Sequence, residues 1–298
     1  MDLQQLRYVV AVADMSSFTR AAERCFVTQS ALSHQIAALE REIGQRLFVR
    51  SSRRVGLTEA GEAFLPHART SVTSADKAVE DAAAASGEIV GTLRLGVIPT
   101  VTAIDVPSLL LAYRIAHPLS RVEMRMGNSD TLMTAIRSGE LDVALLGLRE
   151  GAAPDRVASR LLATERLQLV VAAEHRLAAE HRVAAEGSVS LADLAGETFA
   201  DFPAGTAGRA QSDSAFQAAG VQRDVAFEAD AVEPILSLVA SGLAVTLLAP
   251  GVVRRTSARV IAIDVRGAPV RSEYLAWDAT APRSTARAFL NIASTGLT

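Results

Sequence analysis

Residues 26–44 read FVTQSALSHQIAALEREIG. Thr28 is an N-cap by residue type, and Val27 and Leu32 stand at the N′ and N4 positions of a hydrophobic staple. Leu32, Ile36, Leu39 and Ile43 fall at i, i+4, i+7 and i+11, a single apolar stripe that must pack on something. Away from the stripe the first turns offer Thr28, Gln29, Ser30, Ser33 and His34, short polar side chains suited to close approach to a surface. Upstream, Asp2 and Gln5 are spaced as a capping box ahead of Leu3, Leu6, Val9, Val10 and Ala13, which predicts a helix over 3–14. Ser16 and Ser17 open a second helix carrying Phe18, Ala21, Ala22 and Cys25 on one face, so the thiol is expected to lie inward as a small hydrophobe. Two helices joined by a turn of about three residues, the second polar at its N-terminal end, make the pattern of a DNA-reading helix-turn-helix. In the major groove Gln reaches adenine edges, and Ser or His contacts bases or phosphates. A plain helical hairpin with a solvated polar face has the same spacing.

The segment after the third helix favours DNA. LFVRSSRRVGLT (47–58) alternates short apolar stretches with Arg50, Arg53 and Arg54 around a Ser-Ser turn, the pattern of a two-stranded wing whose arginines neutralise phosphates or enter a minor groove. A solvated turn explains the charge but not its placement beside the third helix. Residues 1–58 hold eight arginines and five acids, net +3, whereas the whole chain carries −3 and the remainder therefore −6. A small basic unit on an acidic body implies that the first binds a polyanion and the second does not.

From Thr58 to about Gly87, Phe64, Ala68, Val72, Ala75, Val79 and Ala82 recur at three- and four-residue steps. This predicts a long helix with a narrow seam of small residues, suited to pairing with a second copy or to folding back on its own domain. Pro66 predicts a kink or a late start. From residue 91 apolar strand-like runs alternate with helical segments, which predicts parallel α/β sheets; a stretch of weak pattern near 174–190 divides them into two lobes. His175 and His181, in EHRLAAEHR, lie on an expected solvated face.

With these residues in place, the chain resembles the LysR-type transcriptional regulators over essentially its full length. The segment from Leu6 to Arg69, LRYVVAVADMSSFTRAAERCFVTQSALSHQIAALEREIGQRLFVRSSRRVGLTEAGEAFLPHAR, is similar to that family's winged helix-turn-helix and the start of its linker helix. LRLGVIPT (93–100), GELDVALLG (139–147) and VASGLAVTLLAP (239–250) resemble its effector domain more loosely. The implied architecture is an α+β/α/β two-domain chain: a winged helix-turn-helix over 1–58, a linker and dimerisation helix over 59–90, and over 91–298 a two-lobed, periplasmic-binding-protein-like effector domain. Lobe I would take about 91–162 and 266–298, and lobe II about 163–265. The implied function is a sequence-specific DNA-binding regulator whose DNA contacts change when a small molecule enters the inter-lobe cleft. Its partners would be promoter DNA, that effector, further copies of itself through the linker helix and effector domain as dimer or tetramer, and RNA polymerase.

Carried onto this sequence, the base-reading positions fall on Thr28, Gln29, Ser30, Ser33 and His34, with Arg53 in the wing. Many members carry proline where Ser30 stands and arginine where His34 stands, and a histidine reads DNA differently from a permanently charged guanidinium. The cleft positions fall on Thr100, Val101 and Thr102, on Asn128 and Ser129, and on Phe202, Pro203 and Thr206. Each group stands where a strand hands over to a helix, so N–H groups and hydroxyls are placed to hold a polar head, although the same residue types serve as ordinary N-caps.

No GxxxxGK[ST], GxGxxG, HExxH or GxSxG motif occurs, so no catalytic residue, metal or cofactor is expected. With Cys25 the sole cysteine, a thiol-based peroxide sensor in the effector domain is excluded, and a reducing compartment is the natural expectation. The N-terminus lacks a basic n-region and no run of about 18 apolar residues occurs, which predicts a cytoplasmic protein with no membrane contact. The rival readings are a cytosolic solute-binding or enzymatic α/β protein with a helical appendage, and a DNA-binding regulator that takes no ligand.

Overall fold

In a computed structural model of the chain, residues 1–50, 55–183, 189–280 and 282–295 are described. They form two units, Met1–Val90 with Ser138–Glu140, and Gly91–Arg137 with Leu141–Thr298. In the first, each helix starts on a side-chain cap. Asp2 and Gln5 close a reciprocal capping box on α1 (Leu3–Met15), Ser17 caps α2 (Phe18–Arg24), and Thr28 caps α3 (Gln29–Ile43). Left-handed residues end two of them: Ser16 after α1 and Gly44 after α3. Between α2 and α3 the chain turns through Phe26 at φ 55°, an unusual conformation for a bulky residue. Leu32, Ile36 and Leu39 are fully buried against Val9, Val12, Phe18 and Ala21, so the stripe packs on the first two helices. The buried face of α1 is Leu6, Tyr8, Val9, Ala11 and Val12; Leu3 of the expected stripe lies in solvent.

Strands β1 (Phe48–Arg50) and β2 (Val55–Leu57) pair antiparallel with Phe48 opposite Leu57. The Phe18 and Phe48 rings meet edge to face at 5.7 Å, and Glu40 Oε1 accepts from the N–H of Leu47 at 2.7 Å, which fixes the start of β1 against α3. The long helix α4 (Glu59–Ala84) starts on Thr58 and passes through Pro66, so of the two outcomes expected there the late start does not occur; the missing N–H costs one backbone hydrogen bond. The inner half of its seam, Phe64 and Ala68, packs within its own unit, while Val79 and Ala82 are exposed.

The second unit runs β3 (Gly91–Val97), α5 (Val106–Ala116), β4 (Ser120–Met126), α6 (Ser129–Arg137), β5 (Val143–Arg149), β6 (Ala158–Arg166), β7 (Gln168–Ala172), α7 (Arg176–Val183), β8 (Val189–Ser190), β9 (Thr198–Asp201), α8 (Ala207–Ala218), β10 (Asp224–Glu228), α9 (Val232–Ala240), β11 (Thr246–Leu248), α10 (Pro250–Arg255), β12 (Val260–Ile263), β13 (Val265–Arg266), β14 (Val270–Trp277) and α11 (Ser284–Thr295). Lobe I holds a five-stranded sheet in the order β4-β3-β5-β14-β6. Its buried strands are covered by α5 and α11, whose Tyr113 and Phe289 rings meet at 5.8 Å, and by Leu132 and Ile136 of α6. Lobe II holds β11-β7-β12 and the pairs β10-β9 and β13-β8.

The sheets are mixed, not parallel throughout. β3 runs parallel to β4 and β5, but β14 is antiparallel to β5 and β6, and β7 is antiparallel to both neighbours. The physical reason is the crossing between lobes. β6 leaves lobe I and β14 returns to it, so the two lie side by side in opposite directions, with Leu167 N–H donating to Pro269 C=O at 2.9 Å beside the crossover. α7 lies in the stretch of weak pattern, and His175 at its start is largely buried with Nε2 3.4 Å from Glu197 Oε2, not solvated.

Candidate functional site

On the first unit, Thr28, Gln29, Ser30 and His34 are exposed and Ser33 half-buried, together on the first turns of α3 opposite the buried stripe. Thr28 spends its hydroxyl on the cap, accepting from Ala31 N–H at 3.3 Å and lying 3.1 Å from Ser30 Oγ. The Gln29 amide has no partner among the described residues and is available for a base edge. Arg50 ends β1 opposite Val55; Arg53 and Arg54 lie outside the described residues. Cys25 is half-buried at the end of α2, and burial pushes its thiol up in pKa against Arg24 and Arg7, which makes it a poor nucleophile.

In the second unit a cavity of about 470 Å³ opens between the lobes, of the size usual for small-molecule sites. Lobe I contributes the turn after β3, Met126 to Ser129, Thr131 and Gly147; lobe II contributes Asp201 to Pro203, the first turns of α8, Asp230, Ala231 and Glu233, and the end of β11 with Ala249. Six of the eight expected cleft residues line it: Thr100, Asn128, Ser129, Phe202, Pro203 and Thr206. Val101 and Thr102 do not. Thr102 is drawn away by β14, its N–H and hydroxyl donating to Glu273 at 3.0 and 2.7 Å, and Arg255 of α10 holds the carbonyls of Val101 and Thr102.

Much of the polar chemistry of these six residues is already used to build the wall. Ser129 Oγ exchanges hydrogen bonds with Gly147 at 2.8 and 3.0 Å, Asn128 Oδ1 caps Thr131 N–H at 2.9 Å, and Thr206 Oγ1 caps Arg209 N–H at 3.3 Å. Thr100 Oγ1 accepts from Arg271 at 2.7 Å. That arginine is the basic residue of the wall, and sequence reading missed it. Buried on β14, it also donates to Thr100 C=O at 2.6 Å, to Glu165 at 2.7 Å and to Glu273. Burial pushes Glu165 up, but the hydrogen bonds of Thr102 and Arg271 and the charge of Arg271 outweigh it and hold its carboxyl below the ordinary range.

Asp201 at the end of β9 was also missed. It accepts from Phe202 N–H and from Arg223, each at 2.7 Å, and Arg223 in turn lies 5.2 and 5.3 Å from the Phe199 and Phe216 ring centres. Burial nevertheless pushes the Asp201 carboxyl up in pKa, against the opposing charge of Arg223. Among the described residues no cluster of His, Cys, Asp and Glu could hold a metal ion, and no helix is long and apolar enough to cross a membrane.

A winged helix-turn-helix with a long helix, carried on one chain with a two-lobed cleft domain, defines a DNA-binding regulator of the kind that takes a small molecule. The profile of the bacterial regulatory helix-turn-helix protein, lysR family, matches residues 3–62, and that of the LysR substrate binding domain matches residues 86–297. The HTH-type transcriptional regulator ShiR of Corynebacterium glutamicum (strain R) is 35% identical over 257 residues, 84% of this chain and 83% of that protein. The dual regulator GltC of Bacillus subtilis (strain 168) is 32% identical over 259 residues, 87% of this chain and 84% of that protein. A full-length OxyR variant from Pseudomonas aeruginosa superposes with a TM-score of 0.73 at 26% identity, over 100% of this chain and 94% of that one. Full-length CbnR complexed with its target DNA gives 0.67 at 24% identity, over 99% of both chains, a likeness of fold. The chain belongs to the LysR family of transcriptional regulators. It is an oligomeric DNA-binding regulator with an effector-binding domain, not an enzyme.

Proposed function

We propose that this regulator reads its operator with Gln29, Ser30, Ser33 and His34 in the major groove, anchors the site with the arginines of the wing, and changes these contacts when a small molecule occupies the inter-lobe cavity. The observation that carries the reading is the placement of the cavity. Its walls come from both lobes, and the chain passes between the lobes only beside Leu167 and Pro269, so a ligand touching both walls biases how the lobes close. Two apolar surfaces support pairing with further copies: the outer seam of α4 at Val79 and Ala82, and Leu111, Ile115, Leu119 and Met124 on α5, the edge strand β4 and the turn between them. RNA polymerase is the partner through which such a regulator acts, and the cytoplasm its compartment.

The test is binding of the purified chain to labelled DNA from upstream of its own gene, against scrambled duplex, at two salt concentrations and with or without a metabolite panel. The reading requires selective, salt-sensitive binding that a panel member shifts. If selection from a random pool yields no preferred sequence, the assignment of α3 is wrong.

A further inference from the structure

The charge of the cavity bears on what it holds, given its proposed role as the effector site. Arg271 is the only cationic side chain among its described lining residues, and it faces two carboxylates of its own, Glu165 and Glu273. The helices α6, α8 and α9 begin at the cavity, beside the short α10, and their N-terminal N–H groups would ordinarily attract an anion. Two of these starts are capped by side chains, α6 by Asn128 with Asp130 in its first turn and α8 by Thr206; α9 has no side-chain cap, but the Asp230 and Glu233 carboxylates flank its start and oppose an incoming anion. The Asp230 and Glu233 carboxylates line the cavity with no hydrogen-bond or ion-pair partner among the described residues.

A second observation points to a ligand. Gln211 and Ser212 on α8 line the cavity at 7% and 2% exposure, and neither the Gln211 amide nor the Ser212 hydroxyl has a partner among the described residues. Both groups are open to the cavity, and a ligand that closes over them must hydrogen-bond them, because a polar group buried unpaired costs about 1–3 kcal/mol. The carbonyl of Gln211 and the hydroxyl of Ser212 accept N–H donors, and Ile98, Phe202, Leu247 and Leu248 supply apolar wall.

We propose that the cavity takes a small organic cation, a protonated amine, amidine or guanidine on an apolar body, and not a carboxylate. The charged head faces Asp230 and Glu233 and donates to Gln211 and Ser212, while the body lies on the apolar wall.

The experiment is thermal denaturation of the full-length chain, at constant ionic strength, with size-matched probes: benzamidine, benzylamine and agmatine against benzyl alcohol and benzoate, within a wider metabolite panel sorted by charge. Stabilising compounds are expected among the cations, with Tm raised by about 5–10 °C at a hundredfold excess over Kd. In the chain carrying Asp230→Asn and Glu233→Gln, cation affinity is expected to fall about fivefold to tenfold per carboxylate, as for charges roughly 6 Å apart at a partly screened site. Stabilisation by carboxylates or phosphates, or by neutral compounds whose affinity the double substitution leaves unchanged, overturns the cation assignment and leaves the effector site standing. If no panel member raises Tm, the effector reading itself fails.

Discussion

Replacing Arg271 by Ala tests how the cavity wall is held. The residue is 6% exposed, and its side chain donates to the hydroxyl and carbonyl of Thr100, to the Thr102 hydroxyl, to Glu165 and to Glu273. Its loss leaves the carboxylates of Glu165 and Glu273 facing each other, Glu273 at 1% exposure, with no counter-charge. Removing one partner of a buried ion pair costs about 3–5 kcal/mol, chiefly through the uncompensated charge that remains. Urea unfolding reports this directly, because Trp277, the only tryptophan, ends the same strand. The pH dependence adds a second constraint. In the native chain the Glu165 pKa is lowered, so its contribution is complete above the unfolded carboxyl range and is lost as pH falls through the lower folded value. In the variant the lowering influence of Arg271 is gone and burial raises the Glu165 pKa, so protonation relieves the penalty as pH falls, by about 1.4 kcal/mol for each unit that this pKa stands above the pH. The cost of the substitution therefore shrinks between neutral pH and pH about 5. Replacing both Arg271 and Glu273 by Met recovers much of the loss. A cost below about 1 kcal/mol at neutral pH, or one that does not narrow on acidification, would refute the network as the support of the wall.

Substituting Gly61 by Ala places a Cβ 2.1 Å from the backbone carbonyl oxygen of Leu47; the expected cost is about 3 kcal/mol or more, read as loss of DNA binding at 37 °C and a lowered first transition on heating. Phe26→Asn relieves a left-handed bulky residue and is expected to raise stability by about 0.5–1 kcal/mol in chemical denaturation, so an unchanged or lower midpoint counts against strain at that turn. Gln29→Ala or Ser33→Ala should reduce discrimination between operator and random duplex by roughly 1–3 kcal/mol; equal weakening on both DNAs removes the base-reading role. Arg53→Ala is expected to flatten the salt dependence of DNA binding by about one counterion, and a slope that does not change assigns this side chain to the groove or to solvent.

The first unit was legible because its determinants are local. Asp2, Ser17, Thr28 and Thr58 cap within three residues of themselves, and Leu32, Ile36 and Leu39 share a face through the helical repeat alone. The apolar runs of β3, β5 and β7 were likewise visible, because strands buried on both faces carry little else. β6 was overlooked: ASRLLATER alternates half-buried and exposed positions and carries charges, which resembles a loop until a partner strand is present. Strand direction was also hidden, since it depends on which strand crosses between the lobes.

The cavity shows the same division. Thr100, Asn128, Ser129 and Thr206 could be found from their position at strand-to-helix turns, which is why several proved to be caps as well as wall. Arg271 was missed because only a formed β14 sets it on one face with Glu273, two residues on. Its other partners, Glu165 and Thr100, stand 106 and 171 positions away. Sequence alone thus determined the helical caps, the apolar stripes and the family signature, all set by contacts within a few residues. Whether Arg271 is free to meet an anion or is neutralised by Glu165 and Glu273 is a matter of distance between remote strands, and only the tertiary structure decides it.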